Sequence, residues 1–381
     1  MWNWTYLSRI DGRMLVVIFA LMGISLLVVS AHTTSVPLGW QEAADESFWT
    51  PLVRKQVQGF LLGFAIFFFF AGFDYNKLRE WTWVLYALML VALVGVFFTE
   101  SIQRVHRWYR IPWIGMNIQP SEWAKLIVVI ALSWFLERRQ DRSRALSSAL
   151  LAGLIAFIPF VLILKQPDLG TALVLFPITL VMFYFGNLHP WMIRFLSGFS
   201  LIALFMVSLI FVGVIPHESA RPYATKILKE YQFDRLSPST HHQKAATSAI
   251  ALGGLTGTGW RQSSYTGGGW LPAPYTDSVF SAFGEEFGLL GLLILLTLFY
   301  ALIYFSFQVA AVAKDPFGRL LAVGIAGYLA MHILANIGMM SGLLPITGVP
   351  LVLISYGGSS IVATMTALGI LQSIYSRRFM F

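Results

Sequence analysis

Ionisable side chains stand out beside the long apolar stretches of this sequence, and they are the candidates for chemistry. In QPSEWAKL, Glu122 and Lys125 follow Pro120, a residue that fits the first turn of a helix. Residues three positions apart share one helix face, so the carboxylate and the ammonium can meet. They form either an ion pair that only neutralises two buried charges or part of a polar cavity, and the spacing leaves both readings open.

Two aspartates precede predicted helices and leave a similar choice open. Asp168, in KQPDLGTAL, can cap the helix expected at 171–185, with Lys165 close by as a partner. Asp277, in PYTDSVF, can cap the helix that begins VFSAFGEEFG. Carboxylates at membrane depth are costly, however, and together with Glu122 these two residues suggest one shared polar cavity.

The composition is that of a membrane protein. Of the 381 residues, 57% are hydrophobic and 12% are charged, whereas a soluble domain has about a quarter of its residues charged. The net charge of +8 is explained by Lys and Arg at cytoplasmic span ends, where they meet anionic lipid. We therefore expect membrane lipid, and no nucleic acid, as a partner. The lack of cysteine excludes disulfides and thiolate chemistry.

Apolar stretches predict an all-α polytopic membrane protein, a single integral membrane domain over 1–381 with ten transmembrane helices. Crossing the hydrocarbon layer takes about 20 apolar residues. Two stretches fall slightly short of this and are separated only by KQPDLG, so they are expected to meet at a buried polar turn. The ten stretches are 14–31, 57–73, 81–98, 121–136, 148–164, 171–185, 190–215, 288–312, 319–340 and 349–374.

Positive charge in the short loops predicts the orientation. With the N-terminus inside, the inner segments hold clusters such as ERRQDRSR at 137–144, and the outer short loops hold fewer cations. Cytoplasmic loops retain Lys and Arg, so both termini are predicted to be cytoplasmic. The one long connection, 216–287, is then extracytoplasmic. Short interfacial helices are expected within it, because structureless loops of this length are uncommon.

Several familiar sites are missing from the sequence. No G-x-x-x-x-G-K-[ST] loop is present, so no nucleotide cofactor is expected. The glycine-rich run GLTGTG at 254–259 follows no predicted strand, which leaves a dinucleotide site weakly supported. His241 and His242 are adjacent, which is a poor spacing for joint metal ligation.

Five motifs occur in an order that resembles the SEDS family (shape, elongation, division and sporulation). They are QPSEWAKL, QPDLGTAL, GGLTGTGW, YTDSVFSAFGEEFGLLG and NIGMMSGLLPITGVPLVLISYGGSS, and the last is highly specific. The resemblance implies a ten-span enzyme that polymerises peptidoglycan glycan strands from lipid II. GTGW and NIGMMSGLLPITGVP are more similar to the rod-elongation branch of the family than to its division branch.

The resemblance also implies which residues act. Asp277 matches the outer-loop aspartate on which polymerisation depends in the family. Two departures concern loop recognition: Tyr275 stands where the family usually has His, and THHQKAATS at 240–248 replaces a YHIIQS-like run. The family's cavity residues and functional polar residues are matched by Arg107, Gln119, Glu122, Lys125 and Asp168.

The implied chemistry is a single displacement with inversion. A site on the outer face has no access to nucleotides, so its substrate must arrive activated, and a lipid-linked diphosphate sugar meets that need. Asp277 would take the proton of the acceptor hydroxyl as the general base. Arg107, Lys125 or a divalent cation, Mg²⁺ or Mn²⁺, would meet the diphosphate leaving group.

Other classes of function stay open on the sequence alone. A flippase for the lipid-linked cell-wall precursor would need the same polar cavity, and a scaffold of the cell-wall machinery would need neither substrate nor base. The division-specific sibling within the family is a third reading. By resemblance, the partners are lipid II, undecaprenyl diphosphate-linked glycan and a class B penicillin-binding protein, a transpeptidase, at the bacterial inner (cytoplasmic) membrane.

Overall fold

Helices make up most of the protein. The computed structural model describes residues 4–31, 48–99, 106–111, 116–211, 214–225, 230–234, 237 and 240–379. Ten helices of 17 or more residues lie in this described part. They are α1 (Gly12–Ala31), α2 (Pro51–Gly72), α3 (Asn76–Gly95), α4 (Pro120–Arg138), α5 (Leu146–Lys165), α6 (Leu169–Phe185), α7 (Pro190–Phe211), α12 (Val279–Val312), α13 (Pro316–Met340) and α14 (Gly358–Ser376).

Each of the ten predicted apolar stretches overlaps one of these helices. Among the described residues, seven helices are long and apolar enough to cross a membrane, and α6 is a shorter apolar helix. The chain is therefore a multi-pass membrane protein. That all ten helices cross the bilayer, and that both termini are cytoplasmic, stay predictions.

Several predicted boundaries differ from the structure, and three of the differences concern α5, α12 and α14. α5 has 20 residues and is a full-length candidate span, so the expectation that it falls short is wrong. α12 begins at Val279 instead of 288. α14 begins at Gly358 instead of 349, because the preceding residues form an irregular segment. In that segment Pro350 lacks a backbone N–H and Gly348 has a φ of 79°.

α13 lies at the centre of the bundle and packs against α12, α6, α4 and α14. Glycines allow the closest of these helix crossings. A Cβ on Gly324 would lie 2.3 Å from Val129 of α4, and a Cβ on Gly369 of α14 would lie 2.7 Å from the carbonyl oxygen of Phe67 in α2. Small residues at such crossings let helix backbones approach closely, as is typical of membrane proteins. α7 packs mainly on α6, with Met192 also against Gly153 of α5, and presents most of its apolar side chains outward.

The predicted connection 216–287 contains short helices in its described part. They are α8 (His217–Ala224), α9 (Glu230–Asp234), α10 (His241–Gly253) and α11 (Ser264–Gly267). Residues 226–229, 235–236 and 238–239 of the connection lie outside the described residues. The placement of these helices at the membrane surface stays a prediction.

The glycine-rich run at 253–259 docks on a break in α12. Gly288 has φ 63° and ψ −164°, which separates the first part of α12, 279–287, from the rest. The N–H of Leu289 donates to Gly254 O at 2.9 Å, and a Cβ on Gly257 would lie 2.1 Å from Glu286 O. A dinucleotide site gains no support, because the run follows α10, a helix, and not a strand. The glycines instead allow the backbone of the run to approach the backbone of α12 closely.

Candidate functional site

A cavity of about 880 Å³ lies between α4, α6, α10, α13, the loop before α12 and the irregular segment before α14. Of the six predicted site residues, five line it, although they come from four separate parts of the chain: Arg107, Gln119, Glu122, Asp168 and Asp277. The sixth, Lys125, has no exposed surface and lies behind Glu122. The opening of the cavity toward lipid and the outer surface stays a prediction.

Glu122 and Lys125 form the ion pair that their spacing predicts. The Lys125 Nζ donates to Glu122 Oε1 at 2.7 Å, and the side chains are 0% and 5% exposed. The same Nζ lies 2.6 Å from His332 Nε2 of α13 and 5.5 Å from the centre of the Tyr328 ring. Among the described residues, the second oxygen of Glu122, Oε2, has no hydrogen-bond partner. The carboxylate is therefore only half satisfied, beside the cavity.

Asp168 combines the two roles left open by the sequence. It is the N-cap of α6, and its Oδ1 accepts from the Thr171 N–H at 3.3 Å. Its Oδ2 accepts from Ser121 Oγ and from Gln119 Nε2, each at 2.8 Å. Lys165, expected as its partner, is exposed, and no ion pair joins the two within the described ranges. Neutral donors, not a lysine, thus hold this carboxylate beside the cavity.

A small antiparallel sheet brings Arg107 and Gln119 to the same wall of the cavity. Its strands are β1 (Tyr109–Ile111) and β2 (Met116–Ile118), and Tyr109 pairs with Ile118. The Arg107 Nε donates to Gln166 O at 3.0 Å, and its Nη2 donates to Pro167 O. These contacts hold the guanidinium at the turn between α5 and α6, next to Asp168.

Asp277 lies one residue before the N-cap of α12, which is Ser278. Its carbonyl oxygen accepts from Asn336 Nδ2 of α13 at 2.9 Å. A Cβ on Gly348 would lie 3.2 Å from Asp277 Oδ2, so this carboxylate packs against the irregular segment. The loop is thus anchored on both sides of the carboxylate, and Asp277 does not occupy the capping position.

The residues before Asp277 are also tied to the irregular segment. The N–H of Tyr356 donates to Tyr275 O at 2.8 Å, and Ser355 Oγ donates to Thr276 O at 2.6 Å. Both bonds use backbone carbonyls of the loop, so they hold its main chain whatever its side chains are. This anchoring explains how a residue at the end of a long loop keeps a defined place in the cavity wall.

His242 is a cavity residue that the sequence suggested only as a poor metal ligand. It lies 2.7 Å, through Nε2, from the Oγ of Ser278, directly beside Asp277. Burial, with a smaller contribution from neighbouring His241, lowers the pKa of His242 below its ordinary value. The ring is therefore neutral near pH 7.

Two more polar residues were missed by sequence reasoning. His332 and Asn336 stand one turn apart on α13, and both are buried. Asn336 Nδ2 also donates to Val349 O at 2.7 Å, so it joins Asp277 to the irregular segment. Two polar residues at i and i+4 within an apolar helix were the available signal, because such residues are costly in a membrane.

The divalent cation suggested by the resemblance has limited support from the ligand set. Over the residues that the structure describes, no group of three or more His, Asp or Glu is placed to hold a metal ion. A cation at this cavity would therefore need oxygens of the substrate to complete its ligands, as Mg²⁺ commonly does with phosphates.

Known proteins share most of this chain. The model of the FtsW, RodA and SpoVE family of cell cycle proteins matches residues 12–378. Peptidoglycan glycosyltransferase MrdB of Escherichia coli K12 is 31% identical over 380 residues, 98% of this chain and 95% of the relative. Probable peptidoglycan glycosyltransferase FtsW of Trichlorobacter lovleyi is 29% identical over 377 residues, 97% of this chain and 93% of the relative.

A solved structure shows the same fold. It is a chain from work on the structural coordination of polymerization and crosslinking by a peptidoglycan synthase complex. The TM-score is 0.76 at 25% identity, and the alignment covers 98% of this chain and 99% of that one. These relatives confirm the resemblance of the motifs. The chain belongs to the FtsW, RodA and SpoVE family of cell cycle proteins, the family called SEDS.

Proposed function

We propose that this protein polymerises lipid II into peptidoglycan glycan strands at the cavity described above. The chain is a peptidoglycan glycosyltransferase, as its relatives over nearly the whole length are. The observation that carries the assignment of the site is that Asp277 lines the same cavity as Arg107, Glu122 and Asp168. A carboxylate near a guanidinium in one cavity can serve a proton transfer and a diphosphate leaving group together.

Asp277 acts as the general base in this proposal. The acceptor hydroxyl oxygen attacks the anomeric carbon of the lipid-linked donor, and its proton passes to the Asp277 carboxylate. The bond from that carbon to the diphosphate breaks, the lipid diphosphate leaves, and one displacement inverts the carbon. The bonds that Asn336 and Ser355 make to the backbone of this loop support the role, since a general base must be held within hydrogen-bond reach of its proton.

Arg107 is the cation best placed to meet the diphosphate. It lines the cavity, whereas Lys125 has no exposed surface and can act only through the groups in front of it. A bound Mg²⁺ or Mn²⁺ would supply further positive charge to the departing diphosphate oxygens. With Asp277 as the base and Arg107 at the leaving group, the two roles fall to different residues that line one cavity.

The cellular setting is proposed from the motifs and the relatives. The motifs favour the elongation branch, so we propose a role in cell elongation, with the division role of FtsW as the alternative. We propose that the protein lies in the bacterial cytoplasmic membrane with both termini inside, which puts Asp277 on the outer face. A class B penicillin-binding protein is the proposed partner, supported by the similarity to a chain of a synthase complex that polymerises and crosslinks.

The test is glycan synthesis by the purified protein, reconstituted in vesicles with lipid II. The parent should form polymer, and Asp277→Asn should lose ~10²–10⁴-fold in rate while folding normally, since this is the usual effect of losing a general base. Asp234→Asn, the same change at an exposed residue of the same connection, is the matched control and should keep the parent rate. Vesicles that move lipid II across the bilayer without making polymer would support a flippase instead.

A further inference from the structure

The lysine of the Glu122–Lys125 pair is shared with a third residue, His332. An ammonium has three N–H donors and accepts nothing, so the His332 ring nitrogen 2.6 Å away accepts from Lys125. The His332 ring also lies beside the backbone carbonyl of Pro350. Proline has no backbone N–H, so the ring donates there. A neutral imidazole has one donor and one acceptor nitrogen, and these two contacts use each of them once.

Because Lys125 is shared with His332, it contacts only one of the two carboxylate oxygens of Glu122. Lys125 contacts only Oε1, at 2.7 Å, and Oε2 has no hydrogen-bond partner among the described residues, although Glu122 is 4% exposed. A buried carboxylate oxygen without a donor is costly, and native proteins rarely keep one without a use. Glu122 and His332 both line the cavity, with Lys125 behind them. Oε2 is thus an unsatisfied acceptor on a residue that lines the cavity.

We infer that His332 is a positioning residue that holds Lys125 on one oxygen of Glu122, so that Oε2 accepts a hydrogen bond from the sugar of the substrate. This inference rests on the proposed function. The group that Oε2 takes must bring its own hydrogen, as a hydroxyl or an amide N–H does, whereas a phosphate would be repelled. Glu122 therefore contacts the neutral sugar, and Arg107 meets the diphosphate.

Removing the ring would release the lysine. Without His332 the ammonium has no second acceptor, and it can bridge both oxygens of Glu122 and close the open one. His332→Leu should therefore raise the KM for lipid II roughly 10- to 100-fold, the usual effect of losing a hydrogen bond to a charged group, with a smaller change in kcat. His332→Gln, whose carbonyl oxygen can accept from Lys125, should keep a KM close to that of the parent.

Three further variants separate positioning from structure. Ser306→Ala on α12 removes a buried hydroxyl bonded only within its own helix, and should leave KM and kcat unchanged. If His332→Leu does not accumulate in the membrane, His332→Asn replaces it, because the shorter amide cannot reach Lys125. In a Glu122→Gln background the loss of His332 should have little further effect, since residues that act through one contact are not additive.

The outcomes are distinct. A parent protein that makes no polymer from lipid II would overturn the proposed function, whatever its variants do. An active parent whose His332→Leu or His332→Asn form folds and keeps the parent KM would overturn the positioning role alone. A loss in His332→Gln as large as in His332→Leu would also overturn the positioning role. So would an effect of His332→Leu on KM that adds fully to the effect of Glu122→Gln.

Discussion

Replacing Gly348 by alanine tests how closely the irregular segment positions the carboxylate of Asp277. Gly348 has a φ of 79°, and an added Cβ would lie 3.2 Å from Asp277 Oδ2. The left-handed backbone costs an alanine roughly 1–2 kcal/mol of stability. The contact at 3.2 Å must also relax, and it can do so by moving the carboxylate. A displacement near 1 Å in an active site can lower the rate ~10²-fold.

The matched control is Gly269→Ala. Gly269 has the same φ as Gly348, 79°, but an added Cβ there meets no atom within 4 Å. Both variants should therefore lose similar stability in thermal unfolding, whereas only Gly348→Ala should lose ~10- to 100-fold in glycan synthesis from lipid II. Equal activity losses in the two variants, or a parent rate in Gly348→Ala, would refute the placement of the Asp277 carboxylate against this segment.

Three further predictions follow from the same structure. Asn336→Leu should lower the polymerisation rate through loss of the bond to the Asp277 carbonyl, and a folded variant with the parent rate would contradict this. Burial lowers the pKa of His242, so stability should fall as the pH drops below about 6.5, where the unfolded chain takes up the proton first. Thermal unfolding of His242→Gln should show a weaker fall. The double variant that exchanges Glu122 and Lys125 should be no more active than the two single variants, because a lysine at 122 would line the cavity. A double variant restored to the parent rate would show that the two residues only neutralise each other's charge.

Local patterns predicted the parts of the site that depend on neighbours along the chain. The i, i+3 spacing of Glu122 and Lys125 and the polar turn before α6 are both present in the structure. The contact of Lys125 with His332 spans 207 residues, and no local period encodes it. Likewise, hydropathy alone extended the last span to 349, because the irregular residues there are as apolar as a helix. Their interruption by Pro350 and by the positive φ of Leu353, 61°, does not change their hydropathy.

The break in α12 ties the outer connection to the site. A helix that stops at Gly288 leaves carbonyls before the break and N–H groups after it without helical partners. The glycine-rich run satisfies four of them: Glu285 O and Glu286 O accept from residues 258 and 259, while the N–H groups of Leu289 and Leu290 donate to residues 254 and 255.

Pulling the run away would therefore cost several kcal/mol, at about 1–3 kcal/mol for each buried group left without a partner. α10, which carries His242, and the start of α12, which follows Asp277, are joined by this main-chain contact. A substrate or a partner protein that displaces α10 would therefore displace the start of α12 with it, and so move His242 and Asp277 together.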